Sequence, residues 1–289
     1  MALFAMMNKN SAVKIYRIET DAKTDSEILN SFQEQERFFE THYITGLPFE
    51  AGYTPSYSEH SYIKNFSESA IMLDAINRST AIPKWTKNIG LENITALFMA
   101  TDYQNNKEKV AIQSFTKKQI LNASKYLWLN KNVFSMSDLL GFNIEDKLVA
   151  IIEKDKIKFK SFHNLRSIFD MNKYFAEATE QDLDNFIQQN SFDVPQGVDI
   201  KKIADNVIRT KVTLINNSNI LKNHSVSDIK TAASALNFPL KTTGNGSNEK
   251  IKIPTTKKEI KELLDFLDED YFNSEISKKR FRSNSKRPA

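Results

Sequence analysis

The chain has 289 residues, of which 40% are hydrophobic and 26% charged, with a net charge of +4 and no cysteine. That length suits one large domain or two modest ones and allows a sizeable core. Lack of cysteine excludes disulfides, thiolate metal sites and cysteine nucleophiles, and no apolar run approaches the ~20 residues of a membrane span.

The opening MALFAMMNKN is briefly apolar but lacks the basic leader and longer apolar stretch of a secretory signal, so a cytoplasmic location is expected. Val13–Ile18 alternates as a half-buried strand does. Asp25 and Ser26 offer caps to a helix in which Ile28, Leu29, Phe32 and Phe39 recur at helical spacing. Residues 43–62 hold two Gly, two Pro and four Tyr, and read as a long ordered loop or broken strands. Ser69–Asn77 reads as a helix stopped by the Ile82-Pro83 step. Ile94–Asp102 and Lys109–Phe115 read as a hairpin around an Asn105-Asn106 turn. Thr116 is placed to cap a helix running to about Lys125, and Lys147–Ile152 with Lys156–Ser161 reads as a second hairpin. Beyond Phe162 the apolar spacing turns helical. A short strand at Ile251 and Ile253 interrupts it, and Thr256 caps a last helix striped by Ile260, Leu263, Leu264 and Leu267. These elements predict an α+β fold, with a mixed or antiparallel sheet built from hairpins in the first 160 or so residues. A mainly helical second half closes on a short C-terminal strand. The portions expected are 1–161 and 162–289, as two units or one continuous domain.

Chemistry is sparse. Histidines at 42, 60, 163 and 224 stand outside metal-ligand spacing of one another, and no HExxH, GxSxG or phosphate-loop motif occurs. Glu145-Asp146-Lys147 has the acid–x–Lys form of restriction-type nucleases, in which an acid holds a metal and a lysine stabilises charge. Asp102 is the available second ligand, so a metal-dependent nuclease is an alternative reading. Otherwise no catalytic residue, metal ligand or cofactor is assigned.

Charge is strongly segregated: residues 1–100 carry a net −3, 101–166 a net +5, 167–200 a net −6 and 201–289 a net +8. Segregation of this kind speaks to partners rather than fold. Lys154, Lys156, Lys158 and Lys160 occupy every second position, with Ile157 and Phe159 between, and Arg166 follows. On a strand these lysines share one face, ~6–7 Å apart, which is the spacing of phosphates along one nucleic-acid strand. The same pattern serves equally as an edge protected against aggregation. A second basic cluster, Lys278, Lys279, Arg280, Arg282, Lys286 and Arg287, follows four carboxylates packed into Asp265–Asp270. Acids at a helix C-terminus oppose its dipole, so another partner is expected for them, and the basic arm folding back is the natural one. Tyr271, Phe272, Ile276 and Phe281 are residues that a disordered tail rarely carries.

The order ELLDFLDEDY, NSEIS, RFRSNSKR resembles the C-terminal signature of the KwaB-like family, typified by a subunit of the Kiwa anti-phage system. The positions that carry it are Leu264, Leu267, Asp268, Tyr271, Ser274, Phe281, Ser285 and Lys286. The hairpin layout agrees from about residue 90 onward. The turn before the last strand departs from the pattern, reading Ile-Ser-Lys-Lys where a glycine is expected. The resemblance implies a DNA-binding, non-catalytic defence subunit that acts with a KwaA-like membrane protein. A homodimer is expected as well, with recruitment to the inner face of the membrane through that partner. An interaction module docking on a membrane protein or membrane surface is a further alternative, because basic patches alone do not separate headgroup from nucleic-acid phosphate.

Overall fold

Strand alternation in the first half of the chain resolves into one large sheet. The computed structural model describes residues 2–8, 10–101, 109–122, 127–136, 140–283 and 285–287. It divides into two compact units: 1–49 with 55–170, and 50–54 with 171–289. The boundary falls after Asp170, beyond the expected 161/162 junction. The reason is aromatic packing: Phe162 stacks on Phe49 at 4.5 Å and Phe169 meets Phe66 edge-on at 5.1 Å, which holds residues 162–169 in the first unit.

The first unit begins with β1 (Leu3–Met7), β2 (Ile15–Ile18), α1 (Ala22–His42), β3 (Thr45–Pro48), β4 (Glu59–Ile63) and α2 (Ser67–Asn77). It continues through β5 (Ile94–Ala100), β6 (Lys109–Ser114), β7 (Ile120–Asn122), β8 (Leu127–Asn130), β9 (Val133–Met136) and β10 (Leu140–Phe142). It closes with β11 (Ala150–Glu153), β12 (Lys156–Phe159) and α3 (Phe162–Arg166). Eight of these strands form a mixed sheet in the order β2-β1-β5-β6-β11-β12-β4-β3, antiparallel throughout except for the β3–β4 pair. Both expected hairpins are present, β5–β6 and β11–β12. The Asn105-Asn106 turn and Asp102 lie outside the described residues.

Three local expectations change. Leu3–Met7, given no element from the sequence, is a strand with all five residues buried; a strand covered on both faces loses the period-2 signal. Asp21, rather than Asp25 or Ser26, caps α1 by accepting from the amides of Lys23 and Thr24. Thr116 does cap, in a box with Gln119, but the helix is a single 3₁₀ turn, because Ile120–Asn122 pairs with Leu140–Phe142 instead; strand pairing overrides the local helix signal. Residues 123–126 of that expected helix lie outside the described residues.

α1 lies on one face of the sheet. Its Ile28 and Phe32 pack with Leu3, Ala5, Leu97, Met99 and Ala111. Past Asp170 come α4 (Glu180–Ile187), β13 (Phe192–Asp193), α5 (Ile200–Ile203), α6 (Asn206–Ser218), α7 (Ile220–Asn223) and α8 (Val226–Ala235). β14 (Thr242–Thr243), β15 (Lys250–Lys252), α9 (Lys257–Leu267), β16 (Tyr271–Asn273) and β17 (Arg280–Arg282) complete the second unit. Its core gathers Leu183, Phe186, Ile208, Val212, Ile215, Ile229, Leu263 and Leu264. The chain is therefore α+β, with the sheet first, helices later and short strands at the end.

Phe32 is fully buried at the centre of the α1–sheet contact. Phe32→Ala is expected to cost about 3–5 kcal/mol, read as a lower urea midpoint of unfolding by circular dichroism.

Candidate nucleic-acid interface

The lysine row of β12 has the geometry its spacing implies. Ile157 and Phe159 are buried, and the lysines share the opposite face. Register tells which face that is. Lys158 pairs with Ile151, and Ile151 pairs with Ala111, which packs against α1. The row therefore projects on the helix-covered side of the sheet, where the chain supplies its own partners. Lys158 donates to Glu153 at 2.7 Å, and this bond, chiefly, holds the Glu153 carboxyl below its usual pKa. On the neighbouring β6, Lys109 pairs with Glu36 and Glu40 of α1. Lys160 donates to the carbonyls of Pro55, Ser56 and Glu59 and lies 5.0 Å from the centre of the Tyr43 ring. Burial lowers its pKa, against the opposing charge of Glu59. Lys160 thus closes the 55–59 loop onto the sheet.

What remains open is the far corner of this face. β12 pairs with β4 so that Tyr62 stands opposite Lys158. The amide of Phe66 donates to the Asp155 carbonyl at 2.7 Å, which draws the end of β4 against the β11–β12 turn. Asn65 and Lys154 take left-handed conformations there, with φ of 52° and 58°. The result brackets one aromatic ring with two ammonium groups: Lys156 lies 5.6 Å and Lys64 5.9 Å from the Tyr62 centroid. Lys64, Asn65, Lys154 and Lys156 line a concavity with Glu153 and Asp155. Nearby His60 is held below the usual imidazole pKa. Burial pushes its imidazole down, the Tyr43 carbonyl pulls it up, and the Lys158 and Lys156 charges push it down, for a net lowering. Tyr62 and Lys64 were not among the sequence candidates. The available signal was the alternation of His60, Tyr62 and Lys64, hidden in a stretch whose Gly and Pro content reads as loop. Arg166 stands elsewhere, exposed at the end of α3.

The C-terminal cations occupy a different environment. Asp265, Asp268 and Asp270 are buried, at 3%, 8% and 1% exposure. Lys211 of α6 donates to Asp268 and Asp270 at 2.6 Å each, Arg282 to Asp265 at 2.5 Å, and Lys286 to Asp270 at 2.7 Å. Lys286 also reaches the Asp268 carbonyl. Arg280 donates to the carbonyls of Leu236 and Asn237 at 2.9 Å, Arg287 lies 3.7 Å from Glu50, and Lys278 pairs with Glu275 at 2.5 Å. Lys278, with φ of 54°, takes the left-handed position where a glycine was expected. Of the six cations in this cluster, Lys279 stands exposed in the turn. The aromatic residues also differ from expectation. The stretch is folded, but Phe272, Ile276 and Phe281 are exposed, because ion pairs rather than apolar burial hold it.

Glu145-Asp146-Lys147 sits in a bend ahead of β11 rather than on the strand expected to begin at Lys147. The Glu145 carbonyl accepts from Gln35 at 3.0 Å and Gln113 at 2.8 Å, which anchors the bend to α1 and β6. Its expected companion Asp102 lies outside the described residues. Among the described residues, no three His, Asp or Glu side chains gather as a metal site would require, and no helix is long and apolar enough to cross a membrane.

No family model, no curated protein and no solved structure matches the chain.

Burial works against the Lys211 ammonium, but its bonds to Asp268 and Asp270 outweigh burial and raise its pKa. A lysine raised in the folded state contributes stability that is complete below its unfolded pKa of about 10.4 and is lost as pH climbs through the folded value. Lys211→Met is expected to cost about 3–5 kcal/mol at neutral pH by stranding buried carboxylates. It should also flatten the decline in stability above the usual lysine pKa, as measured by urea unfolding across an alkaline pH series.

Proposed function

We propose that the chain binds DNA without cleaving it, through the Tyr62 corner of the first unit. One observation carries this reading: a half-buried tyrosine ring with the ammonium groups of Lys156 and Lys64 at 5.6 and 5.9 Å from its centre. A base stacks on such a ring because every base has a π-face, and the flanking lysines take the adjoining phosphates. Lys154 lines the same concavity beside Lys156, while Glu153 and Asp155 limit how much net charge it presents and Lys158 is taken up by Glu153. The combination suits an unpaired strand, whose bases are free to stack, better than a closed duplex.

The resemblance to the KwaB-like family supports placing this binding in anti-phage defence. In that reading the chain is a cytoplasmic subunit, a homodimer, and works with a KwaA-like membrane protein to obstruct phage replication or transcription. Phage DNA is then the ligand, held by phosphate contact and stacking with weak sequence preference.

Tyr62→Ala is expected to weaken binding of a single-stranded oligonucleotide by roughly 5–150-fold, the equivalent of one stacked base. The double variant Lys64→Glu with Lys156→Glu should lower the log–log salt slope by about 1–2 units. Fluorescence anisotropy across a salt series, with and without Mg²⁺, measures both and shows any cleavage in the same samples. Unchanged affinity in both variants overturns the assignment.

A further inference from the structure

The C-terminal hairpin is built inside out. Pairing places Tyr271 opposite Arg282, Phe272 opposite Phe281 and Asn273 opposite Arg280. Polar and charged side chains take the inner face. The Arg280 and Arg282 guanidinium groups lie 5.6 and 6.0 Å from the Tyr271 ring, Arg282 reaches Asp265, and Asn273 donates to the Ala235 carbonyl. Phe272 and Phe281 therefore face away from the unit, stacked on each other at 5.8 Å and 48% and 46% exposed. Ile276, in the turn beyond them, is 97% exposed. That turn also carries Lys278 and Lys279, against the single acid Glu275. Soluble surfaces do not ordinarily cluster apolar side chains at a projecting tip while directing arginines inward.

We propose that this hairpin tip docks directly on an anionic lipid surface, with Phe272, Ile276 and Phe281 entering the headgroup boundary and Lys278 and Lys279 meeting anionic headgroups. Charge selects this occupant. Two copies of the tip facing each other across a two-fold axis would bring lysine-bearing turns together, whereas an anionic surface meets both the apolar wedge and the cations beside it. Aromatic and aliphatic side chains ringed by lysine are the combination that settles at a membrane interface. Contact of this kind is independent of the nucleic-acid reading, since it uses different residues on the other unit.

Co-sedimentation of the full chain with vesicles tests the proposal, comparing phosphatidylcholine alone with phosphatidylcholine mixed with phosphatidylglycerol. Wild type is expected to pellet with the mixed vesicles. Phe272→Ser, Ile276→Ser and Phe281→Ser together should weaken that binding about tenfold or more, and Lys278→Glu with Lys279→Glu should remove the preference for the anionic mixture. Ile276→Ser alone, at a side chain almost wholly in solvent, should weaken binding with an unchanged thermal midpoint, which separates lipid contact from any folding defect in the triple variant. Lys64→Glu with Lys156→Glu, on the first unit, should pellet like wild type. The proposal is overturned if wild type ignores mixed vesicles, if Ile276→Ser and the lysine reversals bind as wild type does, or if the apolar tip proves to mediate dimerisation by analytical ultracentrifugation instead.

Discussion

Three aspartates buried within six residues cannot remain ionised unless cations are brought to them, and the second unit is arranged around that demand. α9 presents Asp265 from its buried face, and the chain just beyond it presents Asp268 and Asp270. Lys211 arrives from α6, while Arg282 and Lys286 arrive from the chain end. Two helices and the C-terminal segment are thereby tied at one point. Burial, first of all, raises the Asp265 pKa, with the Arg282 and Lys211 charges working against it. The cluster is thus balanced between desolvation and pairing, as buried ion networks are. Because an unpaired buried charge is costly, Arg282 turns to Asp265, and Phe281 beside it, on the opposite face of the hairpin, is left partly in solvent.

The first unit applies the same rule to different residues. Its lysine row shares a face with α1, whose acids, together with Glu153 and the carbonyls of the 55–59 loop, meet Lys109, Lys158 and Lys160. The row counts heavily in the sequence and lightly in the potential outside the molecule. At the corner beyond α1, where β4 and the β11–β12 turn converge, two ammonium groups stand beside the half-buried Tyr62 ring, with Glu153 and Asp155 in the same concavity. Intramolecular pairing therefore moves the candidate interface from the middle of a strand to its end, and from lysine alone to lysine with tyrosine.

Two surfaces of opposite character follow, on separate units. The Tyr62 corner offers stacking and phosphate contact, and the hairpin tip offers an apolar wedge with cations beside it. In both proposals positive charge meets an anionic partner, beside a stacking ring in one and an apolar wedge in the other.

Much of the fold was legible because local rules sufficed. The β5–β6 and β11–β12 hairpins follow from alternation, α9 from its stripe and its Thr256 cap, and the folding back of the basic arm from four carboxylates that no helix dipole explains. The site was less legible. Leu3–Met7 carries no periodicity because both its faces are covered, and Tyr62, with Lys64 just beyond it, ends a Gly- and Pro-containing stretch whose strand forms through pairing with β12 and β3. Sequence by itself determined the residue types, their spacing and the α+β order. Tertiary structure alone decided which charges neutralise one another and which apolar side chains stay in water, because both depend on distances between residues remote in the chain, and interaction energy falls with separation in space rather than along the sequence.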